Sequence, residues 1–468
     1  MNSEGVLLSP AGDVTGINAG EVVKNIIVGL TVSFVALSLG AALGILSGRG
    51  AFAGMFSAGV IALITSILGG TRVQCSGPTA PMSAVTATVV AFSFEQLAAT
   101  FPAANPDHFI NIVIILSGVI LLLMSIFRLG KFISFIPNVV ISGFMSGIAL
   151  LIWVDIGKSI FGLGGKVAIG GPIYLNFLIA AATTAMMFLL PSVVKRIMPA
   201  LASYLPGTLL AIVIMTLLAN VFSMPVAHVE LSESINSLAA FGNIVNSQIP
   251  TDWSIGLILT ALPFALQLAL LCYLDTLLTS LVVDKMTNEK TLQNKELLAQ
   301  GVANSLVALF GGIPGAQATI RSVLMVKENA TLRLAGIFVG LFAIVEMLIF
   351  QDLISLIPNA VFAGVLIKVG YDVFDFHPLQ IYAKELFIFQ GKLFENLFSR
   401  HDEEEIFVTN REMIMIIGTA IVTVFFSLNV AVGGFTFLFY VHNGLLIKNN
   451  PMRDLMPELE TNVMLHEG

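Results

Sequence analysis

Long apolar runs, separated by short polar gaps, recur along almost the whole chain. An α-helix needs about 20 consecutive apolar residues to cross a bilayer, and twelve runs approach or exceed that length. We place them at residues 22–46, 52–68, 111–127, 136–156, 171–191, 207–223, 256–282, 296–310, 333–350, 354–371, 412–428 and 430–447. Because charged residues fall mostly in the gaps, the pattern predicts an all-α polytopic membrane protein.

Two further apolar pieces, 78–93 and 317–326, are shorter or more broken than the rest. Each follows a stretch rich in glycine and proline, the two residues that interrupt helices most strongly. Counting both pieces gives about fourteen segments. The third and the tenth are predicted to be half-helices that do not cross the membrane alone.

The composition supports a membrane location and excludes several classes of protein. Hydrophobic residues make up 56% of the 468 positions and charged residues only 11%, and the mean hydropathy is +0.93. A soluble protein of this length needs more charge to cover its surface. The net charge is −7 and no basic stripe is present, so nothing indicates nucleic-acid binding. No nucleophile–base pair or cofactor motif indicates an enzyme.

The positions of Lys and Arg predict the orientation of the chain. The two longest external loops contain neither residue, whereas most basic residues fall in gaps that are internal when the N-terminus is inside. That distribution is typical of cytoplasmic gaps, so both termini are expected in the cytoplasm. No basic region precedes Lys24, so no signal peptide is predicted.

The predicted divisions follow from this orientation. They are a cytoplasmic N-terminal tail (1–20), a first seven-segment repeat (21–223), an extracellular loop (224–255), a second repeat (256–447) with a cytoplasmic loop (373–411), and a cytoplasmic tail (448–468).

The two halves of the chain repeat each other. Residues 133–143 read ISFIPNVVISG and residues 354–364 read ISLIPNAVFAG, and a Gly-Gly pair precedes each broken segment, at 69–70 and 311–312. Each half has seven segments. Because seven is odd, the second half must enter the membrane from the side opposite to the first half. This is the inverted-repeat plan of secondary transporters, in which paired broken segments point to the substrate site.

The broken segments carry groups suited to an anion. A half-helix presents free backbone N–H groups and the positive end of its dipole at its N-terminus. Ser76 or Gly77 can cap the first half-helix, the hydroxyls of Ser76, Thr79 and Thr319 can add donors, and Arg321 lies one turn into the second. The alternatives for Arg321 are a salt bridge or an interfacial anchor.

Asp275 is an ionisable residue inside an apolar span, where such residues usually mark an ion path or a buried pair. Thr279 lies four residues further and shares its helix face. A carboxylate, hydroxyls and unwound backbone carbonyls could bind Na⁺. Asp275 could equally carry a proton or pair with Arg321. Glu346 and Lys368 lie in consecutive spans, and an ion pair between them is one interpretation of both charges.

Several stretches resemble the sulfate permease (SulP) family of anion transporters. They are VQCSGPTAPMSAV at 73–85, LDTLLTSLVVDKMT at 274–287, NKELLAQGVANSLVALFGGIPGAQATIRSV at 294–323, and the two IPN repeats. Within the family, the second and third stretches are most similar to sodium-dependent bicarbonate transporters of the cyanobacterial type. The resemblance covers about residues 20–447.

The resemblance implies seven-plus-seven inverted repeats divided into a core (segments 1–4 and 8–11) and a gate (5–7 and 12–14), with the core sliding as an elevator. It places the anion between segments 3 and 10, with Ser76, Thr79 and Ala318 on the anion side. It implies sodium at Asp275, Thr279, Gln317 and Thr319, and a bacterial inner membrane. No cofactor is implied, and a homodimer is left open.

Three departures from the family pattern are visible. Gln317 stands where the bicarbonate branch tends to have glycine, and Met325 and Asn329 replace a usual asparagine and glycine. No βαβ pattern of the family's usual STAS domain follows the last span. The resulting hypothesis is sodium-dependent bicarbonate uptake. The alternatives are a sulfate or dicarboxylate transporter, either proton-coupled or an exchanger, and an uncoupled anion channel. A divalent anion would need more positive charge than Arg321 and possibly Arg72 supply, so the sequence weakly favours a monovalent anion.

Overall fold

A computed structural model describes residues 19–163, 168–197, 207–229, 238–388, 408–426, 428–446, 451–452 and 454. Nearly all of the predicted N-terminal tail 1–20 and of the tail 448–468 lies outside these residues, as do parts of the loops 224–255 and 373–411.

The first half of the chain forms eight helices and one short strand within the described residues. They are α1 (Ala19–Leu46), α2 (Ala51–Leu68), β1 (Ser76–Pro78), α3 (Ala80–Glu95), α4 (Leu97–Thr100), α5 (Pro106–Ile126), α6 (Asn138–Phe161), α7 (Ile173–Ile197) and α8 (Gly207–Val221). A 3₁₀ turn, Leu129–Phe135, precedes α6.

The second half is built in the same way. Its described elements are α9 (Leu238–Gln248), α10 (Ile255–Thr287), α11 (Gln293–Ala308), β2 (Gly315–Gln317), α12 (Thr319–Lys327), α13 (Arg333–Ile349), α14 (Gln351–Ile354), α15 (Asn359–Val373), α16 (His377–Ile388), α17 (Asn410–Phe425) and α18 (Leu428–Val441). A π turn, His442–Leu446, follows α18.

The all-α polytopic prediction is confirmed, with one addition. Each predicted segment overlaps a helix. Among the described residues, six helices are long and apolar enough to cross a membrane: α1, α2, α5, α6, α7 and the part of α10 up to Asp284. The addition is a two-stranded sheet of β1 and β2. A further helix, α9, lies in the predicted extracellular loop.

The helix packing follows the internal repeat. In the first half α5 packs against α10 and α11, and in the second half α13 packs against α1 and α2. Likewise α6 packs against α17, and α15 packs against α7. Each of these contacts has its counterpart seven predicted segments away, as an inverted repeat requires. The helices α1, α2, α3 and α5 thus pack with α10 to α13, whereas α6 to α8 pack with α15, α17 and α18.

The IPN repeats produce matching local structure in the two halves. Pro137 precedes α6 with φ −66° and ψ 141°, and Pro358 precedes α15 with φ −65° and ψ 138°. The proline ring fixes φ near these values and so sets the same start for both helices. One turn further, a Cβ at Gly143 would lie 2.5 Å from the Ile416 carbonyl oxygen of α17. These helices therefore approach too closely for a larger residue.

Candidate functional site

The two broken segments meet in the middle of the molecule. β1 and β2 pair in antiparallel register, with Gly77 opposite Ala316. α3 begins directly after Thr79, and α12 begins directly after Ala318. The antiparallel strands run in opposite directions, so the two short helices begin on opposite sides of the sheet. Their N-termini, each with free backbone N–H groups, face a common region.

Gly77 is required at this junction for a steric reason. Its φ of 155° lies in a region that residues with a side chain rarely adopt. A Cβ on Gly77 would also lie 2.8 Å from Nη1 of Arg321. The glycine therefore makes room for the guanidinium beside the strand.

Three buried polar residues of α11 hold the two strands and the segment that precedes β1 in place. Glu296 accepts hydrogen bonds from the backbone N–H groups of Gly70 (2.7 Å) and Thr71 (3.0 Å). Gln300 donates from Nε2 to Oγ of Ser76 at 2.7 Å. Asn304 donates to the Gly315 carbonyl at 2.9 Å and accepts from its N–H at 2.7 Å. The sequence interpretation missed this set, although its four-residue spacing on one helix face was a usable signal.

A cavity of about 170 Å³ lies at the starts of α3 and α12, between α1, α3, α10 and α12 on one side and α6 and α15 on the other. Its polar lining comes from Thr79, Asn138, Asp275, Thr279, Gln317, Thr319, Arg321 and Asp372. Apolar side chains of α1, α6 and α15 complete the wall, among them Leu43, Phe144 and Val369. The volume suits a small ion with its closest ligands rather than a large organic substrate.

Arg321 is the largest fully buried side chain among the described residues, at 1% exposure. Its Nη2 donates to the Pro78 carbonyl at 2.8 Å. Its Nε and Nη1 have no hydrogen-bond partner in the described part of the chain. A buried guanidinium with unused donors is costly unless a ligand accepts from it. The proposed salt bridge of Arg321 is wrong within the described residues, and so is an interfacial anchor.

Asp275 faces the same cavity but does not contact Arg321. Its Oδ2 accepts a hydrogen bond from Oγ1 of Thr79 at 2.8 Å. No ion pair joins the two described residues Asp275 and Arg321, and the latter's free nitrogens confirm this. The alternative that Asp275 serves as the structural partner of Arg321 is therefore wrong.

The remaining predicted cation residues lie next to Asp275. Oγ1 of Thr279 and Oγ1 of Thr319 are 2.6 Å apart. The backbone N–H of Gln317 donates to Oγ1 of Thr276 at 3.3 Å. Asp275, Thr279, Gln317 and Thr319 all line the cavity. Within the described residues, no group of three or more His, Cys, Asp or Glu side chains is arranged to hold a metal ion. Of the two carboxylates that line the cavity, Asp372 pairs with Lys368, which leaves Asp275 together with the hydroxyl oxygens.

The predicted anion residues divide into two groups. Thr79, Ala318, Thr319 and Arg321 line the cavity. Ser76 is fully buried, and its hydroxyl donates to Oε1 of Gln74 at 2.7 Å while it accepts from Gln300. The Ser76 side chain therefore supports the strand, and Gly77 contributes backbone and space.

The structure contradicts two other predictions about charged residues, the ion pair of Glu346 with Lys368 and a second positive charge from Arg72. Glu346 accepts from Oγ of Ser33 at 2.7 Å, while Nζ of Lys368 pairs with Asp372 one turn along α15. The interpretation that Glu346 pairs with Lys368 is therefore wrong. Arg72 forms an ion pair with Glu289 and its side chain is 49% exposed, so it adds no charge to the cavity wall.

Comparison with known proteins identifies related chains. The sequence profile of the sulfate permease family matches residues 22–389. The chain is 31% identical over 366 residues to the bicarbonate transporter BicA of Picosynechococcus sp., covering 74% of this chain and 61% of that protein. It is 28% identical to the putative sulfate transporter YvdB of Bacillus subtilis, covering 78% and 67%. The chain thus spans about three fifths of the length of the BicA protein it matches.

Solved structures show the same architecture. The transmembrane domain of a cyanobacterial bicarbonate transporter BicA superposes with a TM-score of 0.70 at 27% identity, covering 89% of this chain and 99% of that one. The murine anion transporter Slc26a9 in an inward-facing state gives a TM-score of 0.68 at 16% identity, covering 91% and 69%. The second likeness concerns the fold alone.

Proposed function

This chain belongs to the sulfate permease family, and from that premise we propose that it is a secondary transporter that takes up bicarbonate together with Na⁺. The proposal is motivated by one observation. The cavity contains a guanidinium and a carboxylate that are not paired with each other.

Unpaired charges in a buried cavity favour ligands of opposite sign. Two opposite charges in a low-dielectric site attract strongly, and a structural pair would bring them together. Here Arg321 is held by the Pro78 carbonyl and Asp275 by the Thr79 hydroxyl. Each charge therefore remains available, the first to an anion and the second to a cation.

The anion side suits a small planar oxyanion. Nε and Nη1 of Arg321 are unused donors, and a guanidinium presents its donors in a fork that matches a carboxylate-like group. The first backbone N–H groups of α3 and α12 point to the same region, where the helix dipoles favour negative charge. One bicarbonate carries one negative charge, which one guanidinium can balance.

The cation side offers oxygen ligands only. The carboxylate of Asp275 and the hydroxyls of Thr279 and Thr319 are hard donors of the kind that bind Na⁺ in secondary transporters. A bound Na⁺ would offset the charge of Asp275, which would otherwise repel the anion. Binding of each ion would therefore strengthen binding of the other, because the coupling between two sites is reciprocal.

The division into core and gate supports transport by an elevator movement. All the polar residues of the cavity lining except Asn138 and Asp372 belong to core elements, whereas α6 and α15 supply mostly apolar wall. The core helices pack extensively among themselves and only thinly against the gate helices. The core could therefore slide along the apolar wall while it keeps both ions.

The test is uptake of labelled bicarbonate and labelled sulfate into proteoliposomes at alkaline pH, each with and without an inward sodium gradient. We expect bicarbonate uptake that the sodium gradient stimulates. Empty liposomes control for passive entry of CO₂. Sulfate uptake that is indifferent to sodium would overturn the proposal in favour of a sulfate or dicarboxylate transporter, and bicarbonate flux without coupling would favour a channel.

A further inference from the structure

Gln317 lines the cavity and contacts two buried hydroxyls that lie outside the cavity lining. It is 1% exposed and lines the cavity together with Asp275. One end of its amide lies 3.2 Å from Oγ of Ser280 and 3.4 Å from Oγ1 of Thr71. The other end has no hydrogen-bond partner among the described residues. An amide has nearly the same shape in both orientations, so its partners decide which end is oxygen and which is nitrogen.

Ser280 has no hydrogen to offer Gln317. Its Oγ lies 2.7 Å from the backbone carbonyl oxygen of Thr276. A carbonyl oxygen can only accept, so the single hydroxyl hydrogen of Ser280 is used there. Ser280 can therefore only accept from the amide.

Thr71 has no hydrogen to offer either. Oγ1 of Thr291 lies 2.6 Å from Oδ1 of Asp284, and this carboxylate also accepts from the Thr291 backbone N–H at 2.9 and 3.0 Å. The Thr291 hydroxyl hydrogen therefore points to Asp284. Across the 3.0 Å contact between the two threonine hydroxyls, Thr71 must then be the donor.

The hydroxyl hydrogens already used by Ser280 and Thr71 determine the orientation of the Gln317 amide. Two hydroxyls that can only accept match the two hydrogens of one NH₂ group. The NH₂ therefore faces Ser280 and Thr71, and the carbonyl oxygen occupies the unpartnered, buried end. An oxygen without a donor repels an anion and attracts a cation.

We propose that the side-chain oxygen of Gln317 is a cation ligand beside Asp275, Thr279 and Thr319. We further assign Asp284 as a positioning residue, because it orients the amide through Thr291 and Thr71. The inference rests on the proposed sodium coupling and adds a ligand that a glycine at this position could not supply. It also explains why a large polar side chain is accommodated here.

The experiment measures the sodium concentration for half-maximal bicarbonate uptake, and the anion KM at saturating sodium, in proteoliposomes. Gln317→Met keeps the length and removes the oxygen. We expect the sodium concentration for half-maximal uptake to rise roughly tenfold, with an unchanged anion KM. Tenfold is the lower end of the loss in affinity when a metal site loses a supporting group. Asp284→Asn should raise the same quantity by about threefold, since it acts through the orientation of the ligand.

Two controls separate the possible outcomes. Gln248→Met makes the same exchange at a glutamine outside the cavity lining and should leave both constants unchanged. Sodium-dependent stabilisation against heat in detergent provides a binding readout that does not need flux. If the unsubstituted protein shows no sodium dependence, the proposed function fails and the inference with it. If it does, but Gln317→Met raises only the anion KM, the NH₂ faces the site and this inference alone is wrong.

Discussion

Two arginines with buried side chains differ in how many of their hydrogen-bond donors have partners. Arg49, between α1 and α2, has a side chain only 5% exposed and bonds with Asp107 at 3.1 Å, Asn111 at 3.0 Å and Gln248 at 3.1 Å. Arg321 is buried as deeply but uses only Nη2, on one carbonyl. The first arginine fastens α9 to α5, which is a structural task. The second keeps Nε and Nη1 without a hydrogen-bond partner among the described residues.

A third buried charge, Glu296, extends the comparison. It is fully buried and its carboxylate accepts from four N–H donors, belonging to Gly70, Thr71, Gln74 and Gln300. It is satisfied by neutral groups alone, as is common for buried carboxylates with several hydrogen bonds. Burial of a charge is therefore not what marks the site. What distinguishes Arg321 is that a buried charge with two unpartnered nitrogens also lines the cavity.

Arg321→Gln should have the largest effect, because it removes the unpaired positive charge that the described residues place in the cavity. We expect about a hundredfold loss of apparent anion affinity, the upper range for hydrogen bonds to a charged group. The measurement is bicarbonate uptake in proteoliposomes, with melting in detergent to show that the protein is folded. Arg321→Lys is the matched variant: it keeps the charge, loses the fork and should restore only part of the affinity. Unchanged uptake by Arg321→Gln would remove the basis of the comparison.

Glu296→Gln should act on stability rather than on the ions. The new amide can keep its oxygen toward the Gly70 and Thr71 N–H groups. Its NH₂ then faces Nε2 of Gln300, which is also a donor, and we expect a loss of about 2 kcal/mol of stability. A lower midpoint of thermal unfolding in detergent would show it. The anion KM of the folded fraction should stay close to that of the unsubstituted protein. A large change in KM with normal stability would instead make Glu296 part of the ion path.

Arg49→Gln should cost less, about 1 kcal/mol of stability, because Asp107 is 44% exposed and water screens the pair. Asn111 and Gln248 also remain bonded to each other, with 2.7 Å from Nδ2 to the Gln248 carbonyl. The readout is again thermal unfolding, compared at equal lipid and detergent. Loss of anion binding in this variant would contradict its purely structural assignment.

Thr79→Val should have the smallest effect. It removes the hydroxyl that donates to Asp275 and leaves the shape of the cavity almost intact. Na⁺ can compensate for one neutral donor, so we expect a change of about threefold or less in the sodium requirement, within the net value of one hydrogen bond. Uptake titrated with sodium would measure it. A tenfold change would indicate that Thr79 binds an ion directly.

The sequence predicted which segments and residues form the site better than it predicted the contacts between them. Glycine and proline located both broken segments, and Asp275 stood out because a carboxylate inside an apolar span is rare. The pairing of β1 with β2 was missed, since strands of three residues carry no usable periodicity. The four-residue spacing from Asp275 indicated Thr279, whereas the family resemblance supplied Gln317 and Ala318.

The hydrogen-bond and ion-pair partners of individual side chains could not be predicted from the sequence, because they depend on how each helix is rotated about its axis. Glu346 and Lys368 lie in neighbouring spans, yet the first turns toward Ser33 of α1 and the second bonds within its own helix. Ser76 has the right residue type for an anion donor, but its hydroxyl is used by Gln74 and Gln300. Side-chain direction decided each of these cases.

The sheet of β1 and β2 has a consequence for the fidelity of the proposed cycle. The strands are bonded to each other, and α11 clamps both of them through Gln300 and Asn304. The half-helix that carries Arg321 therefore cannot shift without the one that follows Thr79. In the proposed cycle the anion and cation positions would therefore keep a fixed spacing as they move, because the backbone that carries them moves as one unit.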